Sequence, residues 1–326
     1  MADKIRWGIL ATGDIARRFA TGLKFLPDAE IIAVGSRSQK SADEFADKFG
    51  IPRRYPSYES LANDKDIEIV YIATPNSLHK DNCIMCLRAG KHVLCEKPFT
   101  INALEAEEVI ATARAQKKFL MEAMWTRFLP AMKQVREWID AGEIGEVRMA
   151  QASFGYRNGV GTTYDPKLGG GSLLDVGVYP ITLADIAFGQ PPERISSFAH
   201  IANGIDEQAA LIFHYPGGGL ALLATAICTA MPGDGVVMGT KGMIKIGDPF
   251  WRTDTLSLIR PGKNDLVIPT GLVAERRYNY QVQSVMECLR LGKIENEIMP
   301  WGKTLEIMRI LDEIRGQIRL RYPMEK

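Results

Sequence analysis

The feature that most constrains this chain is an alternation running through its first 123 residues. Short apolar, strand-like runs at Ile5 to Leu10, Ala29 to Gly35, Glu68 to Ala73, His92 to Cys95 and Phe119 to Ala123 are each parted from the next by a turn and a helical pattern. The helical patterns include one carrying Arg17, Phe19 and Leu23, one from Ser41 to Phe49 and one from Asn102 to Gln116. Strands alternating with helices predict a parallel, doubly wound sheet with right-handed crossovers. Ligands of such sheets gather at the carboxyl ends of the strands, so the polar residues there carry the functional information.

The first strand end reads Ala11-Thr12-Gly13-Asp14-Ile15-Ala16 and turns into a helix. Strand, glycine turn and helix is the setting in which backbone N–H groups hold a pyrophosphate. Against G-x-G-x-x-G, Ala11 takes the first glycine position, Gly13 the second and Ala16 the third, so only Gly13 leaves the backbone bare; a packing turn is the alternative. The second strand ends in Ser36-Arg37-Ser38 with no acid to receive a ribose hydroxyl. A guanidinium fork between two serines suits a 2′-phosphate, which favours NADP over NAD.

The third strand end, Thr74-Pro75-Asn76-Ser77-Leu78-His79, offers contacts to a nicotinamide ribose, although helix capping explains Asn76 or Ser77 equally well. His79 joins this cofactor set, with capping or partial burial as its plainer reading. The fourth, Lys91 to Pro98, closes in Glu96-Lys97-Pro98, which points a lysine into the crevice; taken alone it is a surface lysine before a turn. Beyond the last strand, Trp125, Arg127 and Phe128 either pack a joint or line a pocket.

The boundary is placed at 123, giving a dinucleotide-binding domain over 1–123 and a substrate-binding and dimerisation domain over 124–326. A helix over Leu129 to Ala141 precedes strand-like alternation from Val147 to Phe154. Gly169-Gly170-Gly171 then opens an apolar helical stretch, predicting an N-terminus accessible to a ligand, with Asp175 and Tyr179 four apart on one face. In the plainer reading Asp175 favours the helix dipole and Tyr179 packs. Tyr156 and the loop to Asp165 would shape the pocket. From Ile195 to Ile268 the pattern is β, predicting an open, mostly antiparallel sheet with an apolar face that a second subunit would cover, as a homodimer or homotetramer. Helices over Tyr280 to Leu291 and Trp301 to Arg315 close the chain.

Forty basic and thirty-nine acidic side chains leave a net charge of +1, which suggests neither nucleic acid nor a membrane surface as partner. The longest apolar stretch is taken to be Leu220 to Cys228, too short to span a bilayer, and with no signal-like segment at the start a cytoplasmic location is the default. Of five cysteines, Cys83 and Cys86 form a lone CxxC in an apolar helical pattern, so burial rather than a metal or redox site is expected.

With Ala11 to Ala16, Ala73-Thr74-Pro75-Asn76, Glu96-Lys97-Pro98 and Gly170 through Tyr179 in this order, the chain resembles the Gfo/Idh/MocA oxidoreductase family over essentially its whole length. Met124-Trp125-Thr126-Arg127-Phe128 with Asp175 through Pro180 looks most like the branch of dimeric dihydrodiol and NADP-dependent D-xylose dehydrogenases. The resemblance implies a Rossmann domain joined to a mixed-sheet dimerisation domain. It also implies hydride transfer between NAD(P) and a sugar or polyol, or a trans-diol in the dihydrodiol branch, with Tyr179 as general acid/base assisted by Lys97. Tyrosine ordinarily titrates near 10, so work near neutral pH asks for about 3 to 4 kcal/mol. An ammonium about 4 Å away supplies on the order of 4 kcal/mol at an effective dielectric of 20, before desolvation subtracts. Asp175 would orient a neighbouring substrate hydroxyl, while Arg127 and Trp125 would shape the pocket. Many relatives carry His where Tyr179 stands, and Ala11 departs from the usual glycine. Two rivals remain: a non-catalytic NAD(P)-sensing regulator, which needs neither Lys97 nor Tyr179, and an NAD-assisted glycoside hydrolase, which has no use for a 2′-phosphate site.

Overall fold

The computed structural model describes residues 4–157 and 161–325. The chain packs as two compact units: one runs to Trp125 and takes in Val273–Leu305, the other comprises Thr126–Leu272 and the chain from Glu306 onward. The segment 273–305, which the sequence alone places in the second domain, therefore belongs with the first unit. Nothing in its composition marks that return.

The first unit contains β1 (Ile5–Leu10), α1 (Asp14–Leu23), β2 (Ala29–Gly35), α2 (Gln39–Phe49), β3 (Arg53–Tyr55), α3 (Tyr58–Ala62), β4 (Ile69–Ile72), α4 (His79–Arg88), β5 (His92–Glu96), α5 (Ala103–Gln116) and β6 (Leu120–Ala123). Its six strands are all parallel, in the order β3-β2-β1-β4-β5-β6. The central strands are largely apolar, as expected of parallel strands covered on both faces; every residue of β4 is buried. On one face Phe19 of α1 stacks on Tyr71 of β4 with ring centroids 3.6 Å apart. Cys83, Cys86 and Cys95 are free and buried, and burial pushes the thiols of Cys86 and Cys95 upward, as expected of inert packing groups. Helix starts follow the polar residues that satisfy orphan N–H groups: Ser57 accepts from Ser60 at 3.1 Å and Asn102 from Glu105 at 2.9 Å.

The second unit begins with α6 (Pro130–Asp140), β7 (Val147–Gly155) and a π-helical turn at Leu173–Gly177 that leads into α7 (Val178–Phe188). Then come β8 (Arg194–Ala202), β9 (Ile205–His214), β10 (Leu220–Ala226), β11 (Gly235–Gly239), β12 (Gly242–Ile246), β13 (Thr255–Ile259) and β14 (Leu266–Pro269). They form one sheet in the order β14-β13-β12-β11-β7-β10-β9-β8, antiparallel except for the β7–β10 pair. α8 (Asn279–Arg290) belongs to the first unit, and α9 (Trp301–Gln317) runs across the cut at Leu305.

α7 is the central helix of the second unit, with all residues from Val178 to Ala187 buried. Pro166–Phe188, not Leu220 to Cys228, is the stretch long and apolar enough by length and composition to cross a membrane; 89% of its most apolar window is buried inside the protein. The sheet also has an apolar, uncovered set of side chains: Phe198 is 78% exposed, Ile212 47% and Leu222 38%. Strand register aligns Leu222 with Ile212 and Ala210 with Phe198, so these positions share one face.

Candidate active site

In the first unit the strand order reverses on either side of β1, whose neighbours are β2 and β4, and this is where a doubly wound sheet opens a crevice. Ala11 stands at φ +89, a left-handed conformation natural to glycine, and its N–H donates to the Gly35 carbonyl at 2.9 Å. The turn thus keeps the backbone path of the glycine motif despite the methyl group. Gly13 precedes α1 with no side-chain cap, and a Cβ there would meet nothing within 4 Å. The first-turn N–H groups of α1 are therefore left for a ligand, and a pyrophosphate fits their chemistry. Thr12 and Ile15 flank this opening half-exposed, and Asp14 pairs with Arg18 at 2.7 Å.

At the end of β2, Ser36 is buried and its N–H donates to Tyr55 O at 3.1 Å. Ser38 is already engaged as the cap of α2, accepting from the Ser41 N–H at 3.2 Å and donating its hydroxyl to Ser41 Oγ at 2.9 Å. Arg37 is exposed, and its charge reaches Tyr58, whose pKa burial raises and Arg37 partly lowers. Arg37 is thus the cation that the β2 end presents.

At the end of β4, Thr74 is buried and accepts from Asn82 Nδ2 at 3.2 Å, while Pro75 and Asn76 stay half-exposed. His79 corrects the expectation of a cofactor contact. It is wholly buried, with ring nitrogens 2.9 Å from the Pro98 carbonyl and 2.8 Å from the Thr74 carbonyl. Burial lowers its pKa while the Thr74 and Pro98 carbonyls raise it; the ring lies between the two strand-end loops, and in its neutral form it donates to one of these carbonyls. Glu96 is likewise a support beneath the crevice rather than a wall of it, being 4% exposed. One carboxylate oxygen accepts the Tyr71 hydroxyl and the other accepts the Lys97 N–H at 3.2 Å. Burial pushes its pKa up to about 7, with the Tyr71 hydroxyl and the Lys97 charge pulling the other way. Lys97 follows, half-exposed, before a cis Pro98, and Trp125 is buried with its ring 5.3 Å from that of Tyr278.

In the second unit the chemistry collects around Asp175. The Tyr156 hydroxyl donates to Asp175 Oδ2 at 2.6 Å, and the Thr163 hydroxyl lies 3.3 Å from both. Within the loop expected to shape the pocket, 158–160 lie outside the described residues. Tyr179 is 6% exposed, its ring 5.4 Å from Phe154 and 6.3 Å from Trp251, which stack on each other at 3.5 Å. Asp175 sits in the π-helical turn and Tyr179 at the start of α7, so the two follow one another on a continuous segment. Arg127 is buried and pairs with Asp185 of α7 at 2.5 Å, and Phe128 is buried as well. The glycine run at 169–171 does not expose a helix N-terminus. Asp206 fills that position, its Oδ2 accepting the Ser172 hydroxyl at 2.7 Å and the Leu173 N–H at 2.6 Å.

Sequence reasoning missed Thr163, Phe154, Trp251 and Asp206. Thr163, Phe154 and Trp251 meet Asp175 or Tyr179, and Asp206 meets Ser172 and Leu173 just before them, each from a separate strand or loop that no local spacing announces. Among the described residues no cluster of His, Cys, Asp and Glu could hold a metal ion.

A strand-order switch point with an uncapped glycine turn, in a chain that also carries an open mixed sheet, is the arrangement of a dinucleotide-binding protein. The chain belongs to the Gfo/Idh/MocA family: residues 5–124 match its oxidoreductase, NAD-binding Rossmann-fold domain and residues 132–245 its C-terminal domain. It is 39% identical to trans-1,2-dihydrobenzene-1,2-diol dehydrogenase of Mus musculus and 36% identical to that of Homo sapiens, with 99% of each chain covered in both cases. Among solved structures, a 3-ketoreductase from Actinomadura kijaniata in complex with NADP and TDP-benzene has a TM-score of 0.88 at 26% identity, covering 97% of this chain and 98% of that one. Variants of that ketoreductase with a lysine or a tyrosine replaced have been solved with the same ligands. The aldose-aldose oxidoreductase of Caulobacter crescentus has the same fold, with a TM-score of 0.89 at 23% identity over the same shares of the two chains.

Proposed function

We propose that this protein is an NADP(H)-dependent dehydrogenase or reductase acting on the carbinol or carbonyl carbon of a trans-diol, sugar or polyol. The observation that carries the reading is the Asp175 cluster. A half-exposed carboxylate that already gathers two hydroxyls, Tyr156 and Thr163, precedes a tyrosine on the same segment, in a chain aligned end to end with diol dehydrogenases. A carboxylate that accepts protein hydroxyls can accept a substrate hydroxyl in the same way, which suits vicinal diols and sugars.

NADP, when bound, supplies the nicotinamide carbon that accepts or returns a hydride. The first-turn N–H groups of α1 after Gly13 would hold the pyrophosphate, and Arg37 with Ser36 the 2′-phosphate. Tyr179 takes the proton from the reacting hydroxyl or returns it to the carbonyl, and the charge of Lys97 favours its ionised form. Asp175 orients the neighbouring hydroxyl. Phe154 and Trp251 give Tyr179 a dry, rigid aromatic setting. The active protein is a homodimer formed through the sheet face of Phe198, Ile212 and Leu222, because an apolar patch of this kind calls for a partner.

Incubating purified protein with NADP or NAD and a panel of trans-diols, aldoses and polyols tests this by absorbance of the reduced cofactor. Turnover with NADP on one of these classes supports the reading. Cofactor binding with no reduction across the panel favours a redox-sensing regulator instead.

A further inference from the structure

The start of the segment carrying Asp175 and Tyr179 is gripped from three elements of the second unit. The Tyr322 hydroxyl donates to Gly170 O at 2.6 Å, Asp206 of β9 accepts from Ser172 and Leu173, and the Thr225 hydroxyl of β10 donates to Ser172 O at 3.1 Å. Ser172, Asp206, Thr225 and Tyr322 are at most 1% exposed. Gly171 lies at φ +116, and a Cβ there would stand 2.2 Å from Asp206 Oδ1, so only glycine admits the carboxylate this close. The first helical bond, from Asp175 N–H to Gly171 O at 3.2 Å, starts inside this clamp.

We propose that Asp206 is a positioning residue for the reaction: its carboxylate fixes the origin of the Leu173–Phe188 segment and so holds Asp175 and Tyr179 in one registration. The inference rests on the reading of Tyr179 as acid/base given above. A carboxylate here is costly, since burial works against its charge, with the Ser172 hydroxyl and nearby backbone N–H groups offsetting only part of that cost. Apolar packing would serve a purely structural need at lower cost. What the carboxylate adds is direction. Two short bonds from consecutive residues set both the axial position and the rotation of the segment, and its charge favours the positive end of the helix dipole. A displaced reacting group loses rate without losing cofactor affinity.

The test compares Asp206→Asn, Ser172→Ala and Tyr179→Phe in the full-length protein, with kcat expressed per NADP-binding site. For Asp206→Asn, kcat should fall on the order of tenfold while the Kd for NADP stays within about twofold. A purely structural role would lower the number of folded sites and leave kcat per site unchanged, which overturns the proposal. If Asp206→Asn does not fold, Ser172→Ala decides: it removes one donor and keeps the carboxylate, a several-fold drop in kcat per site supports the role, and an unchanged value overturns it. Full activity in Tyr179→Phe removes the reading on which the inference rests, and the inference with it. Loss of activity there together with an unchanged kcat in folded Asp206→Asn overturns this inference alone.

Discussion

Tyr71 donates its hydroxyl to Glu96 inside the first unit, and Glu96 in turn receives the N–H of Lys97, so a wholly buried carboxylate underlies the backbone of the lysine at the crevice. Folding raises the Glu96 pKa from 4.5 to about 7, which means the native state prefers the protonated acid. That contribution is complete below pH 4.5 and is lost as the pH rises through about 7. Glu96→Gln is neutral throughout. Urea unfolding of both proteins across this range should show the unsubstituted chain losing about 3 kcal/mol relative to the variant as the pH rises. A difference independent of pH would contradict the assignment.

Ala11 holds a glycine conformation with a side chain attached. Such backbone costs roughly 1 to 2 kcal/mol, partly offset because glycine loses more entropy on folding. Ala11→Gly should therefore raise stability by about 0.5 to 1 kcal/mol, read by the denaturation midpoint. A lower midpoint would show that packing of the methyl outweighs the strain.

Arg37 is the exposed cation at the end of β2, in a position with no acid beside it. Arg37→Ala should weaken NADP by about ten- to a hundredfold, the worth of a charge-assisted bond, and leave NAD nearly unchanged. Fluorescence titration with both cofactors measures this; equal losses would rule out a 2′-phosphate contact.

Phe198 stands 78% exposed on the apolar sheet face. Phe198→Glu places a charge there and, on the homodimer proposed above, should lower the mass read by light scattering after gel filtration from that of two chains to that of one. An unaltered mass would place the subunit contact elsewhere, or show that there is none.

Much of this architecture was legible because it is local. The alternation to Ala123 marked the parallel sheet, and β9 to β13 fall within the stretch from Ile195 to Ile268 that reads as β. β3 escaped because three residues are too few to show a period. The strand ends pointed to Gly13, Arg37 and Lys97, but a strand end does not tell which polar side chain turns inward. His79 and Glu96 are buried braces because their partners, Pro98 and Tyr71, lie 19 and 25 residues away. Asp206 looks like any acid after a turn until β9 brings it against Ser172, 34 residues before it.

The central claim is that Tyr179 and Lys97 carry proton transfer while other residues hold the cofactor. Measuring kcat and the Kd for NADP in Tyr179→Phe and Lys97→Ala, with the best substrate of the panel, tests it most directly. The account predicts that each substitution lowers kcat by at least about a hundredfold, the usual weight of a general acid/base, while NADP still binds within a fewfold of its original affinity. A Tyr179→Phe protein that turns over at the unsubstituted rate would contradict it.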